Sequence, residues 1–334
     1  MLKRTIRLGR DAPLLDLTSF ARQGPTGRVR LSPPQVEQMA RTVTRVPEVM
    51  VKVSRGATST AGAVAYLRYI HRNGELEIEI DEGERLKGSG VEKQIVADWD
   101  LDSTRAHGQG PYRGKAGPKP AKLVHKVILS MPKGTPPNKL LLASRDFARE
   151  EFALKHRYAL VLHTDQDHPH VHLVIKAVSE EGKRLNIRKA TLREWRRSFA
   201  LHLREHGIAA NATERAVRGQ TQSGFKDGIH RASLRGDSRY LRERATRIAQ
   251  ELRNGGLKAS PGKAKLLATR RDVIAGWNGA ADALLAAGQV VLAEKIRDFI
   301  GAMHRPLTTD ELLAGKLEER TRIRERDREE ERTR

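Results

Sequence analysis

The stretch that most constrains this chain runs from residue 163 to residue 176 and reads HTDQDHPHVHLVIK. It holds four of the twelve histidines and ends in an apolar run that predicts a buried strand. Side chains alternate between the faces of a strand, so His170 and His172 should face one way while Val171 and Leu173 face the other. Two imidazoles on one face, about 7 Å apart, can bind a single cation.

A third imidazole completes the predicted site. His163 precedes a turn rich in aspartate and proline, which can fold it back onto the pair. Three histidine ligands with open coordination positions are the arrangement that a catalytic metal needs. The alternative, that these histidines are incidental, is disfavoured because so many of them cluster here, two of them at strand spacing. We therefore predict that His163, His170 and His172 bind a metal ion.

Charge and composition indicate a nucleic-acid partner. The 334 residues carry a formal net charge of +22, and a surface this basic attracts polyanions, most commonly DNA or RNA. The basic residues are spread along the chain, which disfavours an anionic membrane as the partner. No apolar run approaches the roughly 20 residues of a membrane span, and we expect no membrane insertion. Cysteine is absent, which excludes disulfides and a cysteine nucleophile and favours the cytoplasm.

Three regions are predicted along the chain. Residues 1–47 form a basic arm with a short helix over 34–44, residues 48–218 mix strands and helices, and residues 219–334 are helical and rich in arginine. The strands are predicted over 49–53, 76–80, 123–131, 158–163, 170–176 and 184–187. The helices are predicted over 61–72, 92–98, 140–152, 191–206, 239–252, 261–275 and 280–303. The run 108–120, rich in glycine and proline, is a loop or linker by composition.

The helix predicted over 61–72 carries two tyrosines, Tyr66 and Tyr69, on one face. Arg68 and Arg72 lie beside them, and neighbouring cations favour the phenolate that a nucleophile requires. The alternative is a helix that uses amphipathic tyrosines to cover the sheet. On this segment alone, packing is the better interpretation.

Three stretches together resemble the motifs of the HUH endonucleases, specifically the conjugative relaxases of the MOB-P type, which are relatives of the T-DNA border nuclease. YLRYIHRNGELE at 66–77 resembles the first motif, in which a tyrosine lies four residues before a turn with a basic residue and glycine. LSMPKGT at 129–135 resembles a second region, in which a strand ends in Ser-aromatic-Pro-x-Gly. HTDQDHPHVH at 163–172 is similar to the third motif, HxDxx(H/N)xHxH. The resemblance covers about residues 48–218.

The resemblance implies an α+β fold in which a central antiparallel β-sheet, with helices packed on it, holds the tyrosine helix over the histidines. It implies Tyr69 as the nucleophile, with Asp165 or Asp167 orienting a histidine or taking the tyrosine proton. The implied cofactor is a divalent metal, Mg²⁺ or Mn²⁺, with Zn²⁺ as a further candidate because histidine suits softer metals. Lys176 stands where the family often has Asn, and a cation near the metal is expected to weaken its binding.

The implied activity is strand-specific nicking of single-stranded DNA at an origin of transfer, by a transesterification that leaves a 5′-phosphotyrosine. The implied partners are single-stranded and duplex DNA, accessory relaxosome proteins and the coupling protein of a type IV secretion system. The protein is then a bacterial, cytoplasmic one that can be exported while attached to DNA. Phosphate contacts are expected from Arg68, Arg72, Ser130, Lys133, Lys176, Arg193, Arg196 and Arg197.

Three alternatives stay open at this point. A rolling-circle replication initiator shares the chemistry and differs only in where it acts. A metal-dependent hydrolase that activates water would turn over without a protein–DNA adduct. A non-catalytic DNA-binding protein is what the charge alone favours, and it would not depend on the histidines.

Overall fold

The computed structural model describes residues 31–101, 113–114, 117–118, 121–221, 225 and 227–332. The described part of the chain forms two compact units, one comprising Arg45–Ala212 and the other Met1–Thr44 with Thr213–Arg334. Most of the predicted basic arm and most of the predicted loop 108–120 lie outside the described residues.

The secondary-structure elements follow the predicted order closely. In chain order they are α1 (Pro33–Val43), β1 (Met50–Ala57), α2 (Thr60–Ile70), β2 (Ile78–Ile80), β3 (Arg85–Leu86), α3 (Val91–Asp98), β4 (Arg113–Gly114), β5 (Gly117–Pro118), β6 (Val124–Ser130), α4 (Pro137–Phe152), β7 (Tyr158–His163), β8 (His170–Lys176), α5 (Lys189–Glu205), α6 (Asp227–Leu234), α7 (Arg239–Arg253), α8 (Pro261–Ala286), α9 (Val290–Gly301) and α10 (Thr309–Arg332). The strand predicted over 184–187 is reduced to a single bridge between Val178 and Arg184.

The unit Arg45–Ala212 is built on a six-stranded sheet in the order β1-β6-β8-β7-β2-β3, with every pairing antiparallel. The predicted α+β fold with a central antiparallel sheet is therefore confirmed. β8 lies between β6 and β7, and all seven of its residues are buried. Burial on both sides of a strand requires a layer on each face of the sheet.

Helices α4 and α5 cover one side of the sheet, which we call the apolar face. Val171, Leu173 and Ile175 of β8 point into this layer. Phe147 of α4 and Phe199 of α5 meet there with ring centroids 5.8 Å apart, close to edge-to-face. The sequence of α5 explains its position, because its apolar residues recur at helical spacing and form one stripe.

Helices α2 and α3 cover the opposite side, which we call the histidine face. Leu67 and Ile70 of α2 are fully buried there, in one cluster with Val161 of β7 and Val174 of β8. The start of α2 is capped by Ser59, whose side chain accepts a hydrogen bond from the backbone N–H of Gly62 at 3.1 Å.

A tight turn after α2 depends on Gly74. Arg72 and Asn73 adopt positive φ angles of 55°, and Gly74 follows with φ of 101°. A Cβ atom at Gly74 would lie 2.5 Å from the carbonyl carbon of Gly88, so a side chain is excluded by space as well as by conformation. This turn ends α2 just beyond the tyrosine pair.

The unit Met1–Thr44 with Thr213–Arg334 has a separate core of helices. Met39 of α1 is buried in one cluster with residues of α8 and α9, where the rings of Trp277 and Phe299 lie 5.4 Å apart. The predicted break between 275 and 280 is wrong, because α8 runs unbroken through Gly276 and Gly279. A helical glycine costs about 1 kcal/mol relative to alanine, and the buried neighbours of these glycines outweigh that cost. Within the described residues, no helix combines the length and apolarity needed to cross a bilayer.

Candidate active site

The structure brings the three predicted metal ligands together. His163 ends β7 and pairs directly with His170 at the start of β8, and His172 follows on the same face. Each of the three residues offers a ligand atom, and these atoms lie within 4.8 Å of one another. The ring centroids are 4.5 Å to 5.1 Å apart. The antiparallel register therefore supplies the third imidazole that the turn was predicted to fold back.

Hydrogen bonds fix the orientation of these imidazoles. His163 donates from Nε2 to the backbone carbonyl of Ile70 at 2.6 Å. His170 donates from Nδ1 to the carbonyl of His168 at 3.1 Å. A carbonyl can only accept, so the second ring nitrogen of each of these residues carries a lone pair and is the candidate metal ligand.

The electrostatic environment favours the neutral forms of His163 and His172. Burial lowers the pKa of His172 to about 3, and the proximity of His163 and His170 lowers it further than burial alone would. Burial also lowers the pKa of His163. Neutral imidazoles bind metal ions, whereas imidazolium ions cannot. Three imidazole nitrogen donors fit a divalent cation such as Mn²⁺ or Zn²⁺.

Both tyrosines of α2 lie against this cluster, but in different environments. The Tyr66 hydroxyl is 3.0 Å from Nδ1 of His172, and burial raises the pKa of Tyr66. The Tyr69 ring lies 6.3 Å from the His172 ring and 6.2 Å from the Tyr66 ring. Tyr69 is 56% exposed, so it is open to a substrate, whereas Tyr66 is partly buried.

The two predicted carboxylates separate clearly. Asp165 pairs with Arg72, and its Oδ1 lies 3.8 Å from Nδ1 of His163. The Arg72 guanidinium in turn lies 5.5 Å from the centre of the Tyr69 ring. Asp167 instead pairs with Lys133 at 3.3 Å, on an exposed part of the turn. The structure therefore brings Asp165, and not Asp167, beside Arg72 and His163.

A buried carboxylate that the sequence analysis missed anchors the end of α2. Glu92 of α3 accepts hydrogen bonds from Arg68 at 2.9 Å and from His71 at 3.2 Å. Burial alone would raise the pKa of Glu92, but hydrogen bonds, including these two, lower it below its usual value. An isolated glutamate in a short helix gives no sequence signal, so only the fold reveals that it holds the tyrosine-bearing turn.

The residues predicted to contact DNA divide into two groups, and the first lies beside the cluster. Arg68 and Arg72 flank Tyr69, and the Lys133 backbone N–H donates to His168 at 3.0 Å. The Lys133 side chain is 73% exposed, so it is available to a phosphate. Ser130 is near in the sheet but buried, and its hydroxyl donates to the Pro169 carbonyl at 3.2 Å, which makes it a structural contact.

The second group is not brought to the histidines. Lys176 lies four residues beyond His172 on β8, about 13 Å away along the strand, and its Nζ pairs with Glu180 at 3.0 Å. This placement gives no support to the expectation that its charge weakens metal binding. The remaining three predicted residues belong to α5, which covers the apolar face. They are Arg193, Arg196 and Arg197.

Comparison with a family model defines the class of this site. Residues 81–208 match the model of the nuclease domain of the MobA/VirD2-like relaxases. The resemblance to mobilization relaxases that the three motifs predicted is therefore confirmed over these residues, which are similar to a DNA-nicking nuclease domain. The matched segment contains the histidine cluster and Glu92, whereas α2 with its tyrosines precedes it.

Two curated relatives are T-DNA border endonucleases VirD2. The protein of Agrobacterium fabrum (strain C58) is 29% identical over 136 residues, which cover 36% of this chain and 29% of that protein. The protein of Rhizobium radiobacter is 31% identical over 124 residues, which cover 33% of this chain and 28% of that protein. The matches thus span less than a third of the length of either relative.

Two solved structures share part of the fold at 12% identity. One comes from work on the molecular basis of vancomycin resistance transfer in Staphylococcus aureus. Its TM-score is 0.33, over 51% of this chain and 99% of that chain. The other is the Mn-bound MobM relaxase domain with plasmid pMV158 oriT DNA, with a TM-score of 0.37 over 56% of this chain and 98% of that chain. These TM-scores are too low to support a functional class. The likeness to relaxases therefore depends on the match of residues 81–208 to the family model.

Proposed function

We propose that this protein is a relaxase: a nickase that cleaves single-stranded DNA at a specific site by tyrosine transesterification and remains attached through a 5′-phosphotyrosine. The observation that carries the proposal is the position of the exposed Tyr69 ring, 6.3 Å from the ring of a histidine in the metal-binding cluster. The match to a relaxase nuclease domain supports the same reading.

Tyr69 is the proposed nucleophile because its side chain is open to solvent on the histidine face. In the proposed step its hydroxyl oxygen forms a bond to phosphorus, and the bond from phosphorus to the 3′ oxygen breaks. The 3′ oxygen leaves with a proton as a hydroxyl group. One phosphoester bond replaces another, so the strand can later be rejoined without ATP.

Asp165 is the proposed acceptor of the tyrosine proton. It is held by Arg72, whose guanidinium lies 5.5 Å from the Tyr69 ring centre, and it lies beside His163. A carboxylate held by a neighbour of the nucleophile can take a proton from it. Arg72 then lies beside Tyr69 as a positive group that can contact the incoming phosphate.

His163, His170 and His172 are the proposed ligands of a divalent cation such as Mn²⁺. A cation held by these residues would polarise the scissile phosphate and offset the charge that develops on its oxygens. Hydrogen bonds to the backbone carbonyls of Ile70 and His168 hold the imidazoles of His163 and His170 in position. Lys133 and the remaining basic surface would hold the DNA backbone, with an affinity that falls as salt rises.

The test uses a library of single-stranded oligonucleotides with randomised sequence, because the protein sequence does not specify the nick site. The full chain is incubated with the library and Mn²⁺, and covalent product is separated on a denaturing gel and sequenced. We expect an adduct enriched in one sequence, and we expect Tyr69→Phe to abolish the adduct while DNA binding is retained. A Tyr69→Phe variant that still forms adduct would contradict the assignment, and cleavage without adduct would favour the hydrolase alternative.

The biological setting belongs to the same proposal. Nicking at an origin of transfer would serve conjugation or mobilization, with accessory relaxosome proteins and a type IV coupling protein as partners. A rolling-circle initiator would give the same adduct, so the enriched sequence decides between them. It would lie at an origin of transfer in the first case and at a replication origin in the second.

A further inference from the structure

We propose that Tyr66 is a positioning residue that sets the tautomer of His172 and thereby completes the metal site. In this arrangement Nδ1–H of His172 donates to the Tyr66 hydroxyl oxygen, 3.0 Å away, and Nε2 is left with its lone pair. The proposal rests on the proposed function, because it concerns the same cluster of histidines.

The argument begins with a difference among the three imidazoles. His163 and His170 each donate to a backbone carbonyl, so the fold itself determines which nitrogen carries the proton. His172 instead faces a hydroxyl, which can donate as well as accept. If Tyr66 donated to Nδ1, the proton of neutral His172 would lie on Nε2, and that nitrogen could not bind a metal. His172 is therefore the one ligand whose tautomer depends on a side chain.

The surroundings of Tyr66 hold its hydroxyl in place. Nζ of Lys126, from β6, lies 3.8 Å from the centre of the Tyr66 ring. The ring also lies 6.0 Å from the His172 ring in an edge-on arrangement and 6.2 Å from the Tyr69 ring. The ring cannot swing away without losing these contacts. Rings that are packed in this way lose little further freedom when the hydrogen bond forms.

The two tyrosines thus have separate roles. The Tyr66 hydroxyl forms a hydrogen bond with His172, a proposed metal ligand, and the Tyr66 side chain is partly buried. Tyr69, one turn further along α2, is 56% exposed. A second tyrosine beside a nucleophile would ordinarily be taken for a spare nucleophile or for packing, and the contact with Nδ1 argues against both.

The first test measures Mn²⁺ affinity by calorimetry on the full chain, without DNA. Tyr66→Phe keeps the ring and removes only the hydroxyl, and we expect Mn²⁺ to bind about 10- to 100-fold more weakly, as is typical when a partner of a metal-bound histidine is lost. The matched control is Tyr69→Phe, for which we expect an affinity within about twofold of the unmodified protein, since loss of a group that does not contact a ligand leaves the site intact. Equal Mn²⁺ affinity in Tyr66→Phe and the unmodified protein would overturn the proposal, as would an unmodified protein that binds no Mn²⁺.

A second measurement reads the tautomer directly, in the unmodified protein and in Tyr66→Phe. Long-range ¹H–¹⁵N correlation spectra of the metal-free protein distinguish a protonated from an unprotonated ring nitrogen. We expect the proton of His172 on Nδ1 in the unmodified protein and a shift towards Nε2 in Tyr66→Phe. A proton already on Nε2 in the unmodified protein would contradict the inference.

A third readout separates this inference from the proposed function. The adduct-forming rate of Tyr66→Phe should require more Mn²⁺ for half its maximum and approach that of the unmodified protein at saturation. A purely structural role would instead lower the rate at every Mn²⁺ concentration, and this result would count against the proposal. If no protein forms adduct, the proposed function fails, whereas the calorimetry and the spectra still decide the role of Tyr66.

Discussion

The two faces of the central sheet make opposite use of the same strands. On the apolar face, α4 and α5 cover β8 with aromatic and aliphatic side chains. On the histidine face, α2 and α3 also make apolar contacts with the sheet, but three histidines of the strands and two tyrosines of α2 lie beside those contacts. Alternate residues of β8 supply both faces, so Val171 and Leu173 belong to the core while His170 and His172 belong to the site.

Neighbouring residues of β8 therefore have different roles: one stabilises the fold, and the next belongs to the candidate metal site. A large buried side chain on the apolar face contributes packing and nothing to metal binding. An imidazole on the histidine face offers a candidate metal ligand, and its burial is tolerated because each imidazole has a hydrogen-bond partner. Substitutions on the two faces should therefore change different measured quantities.

The largest expected effect is on the apolar face. Phe199→Ala removes a ring that is fully buried and packed against Phe147, and we expect the free energy of unfolding to fall by about 3–5 kcal/mol. Chemical denaturation of the full chain measures the change. Leu142→Ala, on α4 but 42% exposed, is the control and should change stability by no more than about 0.5 kcal/mol. Loss of Mn²⁺ affinity in a folded Phe199→Ala protein would break the separation.

A somewhat smaller effect concerns a histidine on the apolar side of β6. Burial lowers the pKa of His125 to about 4, and the cations Lys122 and Arg184 contribute. In the unfolded chain the His125 imidazole has a pKa near 6.5, so it takes up a proton at a higher pH than in the folded protein. Its contribution to the free energy of unfolding is therefore full above this pH and is lost as the pH drops from about 6.5 to about 4. The expected loss from this group alone is about 3 kcal/mol.

The test of the His125 prediction is the slope of stability against pH. We expect His125→Leu to have a shallower decline between pH 6.5 and pH 4 than the unmodified protein, because one titrating group is gone. Identical slopes for the two proteins would show that His125 takes up its proton in the folded state as readily as in the unfolded chain.

The smallest effect on stability should come from the histidine face. At free Mn²⁺ about 100 times above its dissociation constant, binding should stabilise the unmodified protein by about 2.7 kcal/mol. His170→Ala should lose most of this gain, because it removes a ligand. His168→Ala is the matched control: His168 is in the same stretch but exposed, and its ring accepts from Lys133 instead of joining the cluster. A full Mn²⁺-dependent gain in His170→Ala would show that the cluster is not the metal site.

Local periodicity explains why much of this arrangement could be predicted from the sequence. The alternation in β8 depends only on backbone geometry, so the shared face of His170 and His172 followed directly. The helix start at Ser59 and the stop at Gly74 are likewise set by residues close in sequence. The positions of the tyrosines relative to the histidines needed the three motifs taken together.

Contacts between distant elements could not be predicted in this way. Glu92 of α3 contacts Arg68 and His71 at the end of α2, and Lys126 of β6 lies over the ring of Tyr66. The choice between Asp165 and Asp167 depended on which one faces Arg72. α8 continues through two glycines because tertiary packing overrides local propensity.

The central claim, that Tyr69 carries out the attack, is tested most directly by locating the DNA on the protein. The covalent adduct would be digested with a nuclease and a protease, and the peptide that retains a nucleotide would be sequenced by mass spectrometry. We predict a single modified residue, Tyr69. Modification at Tyr66, at a histidine, or at no residue of α2 would contradict the account.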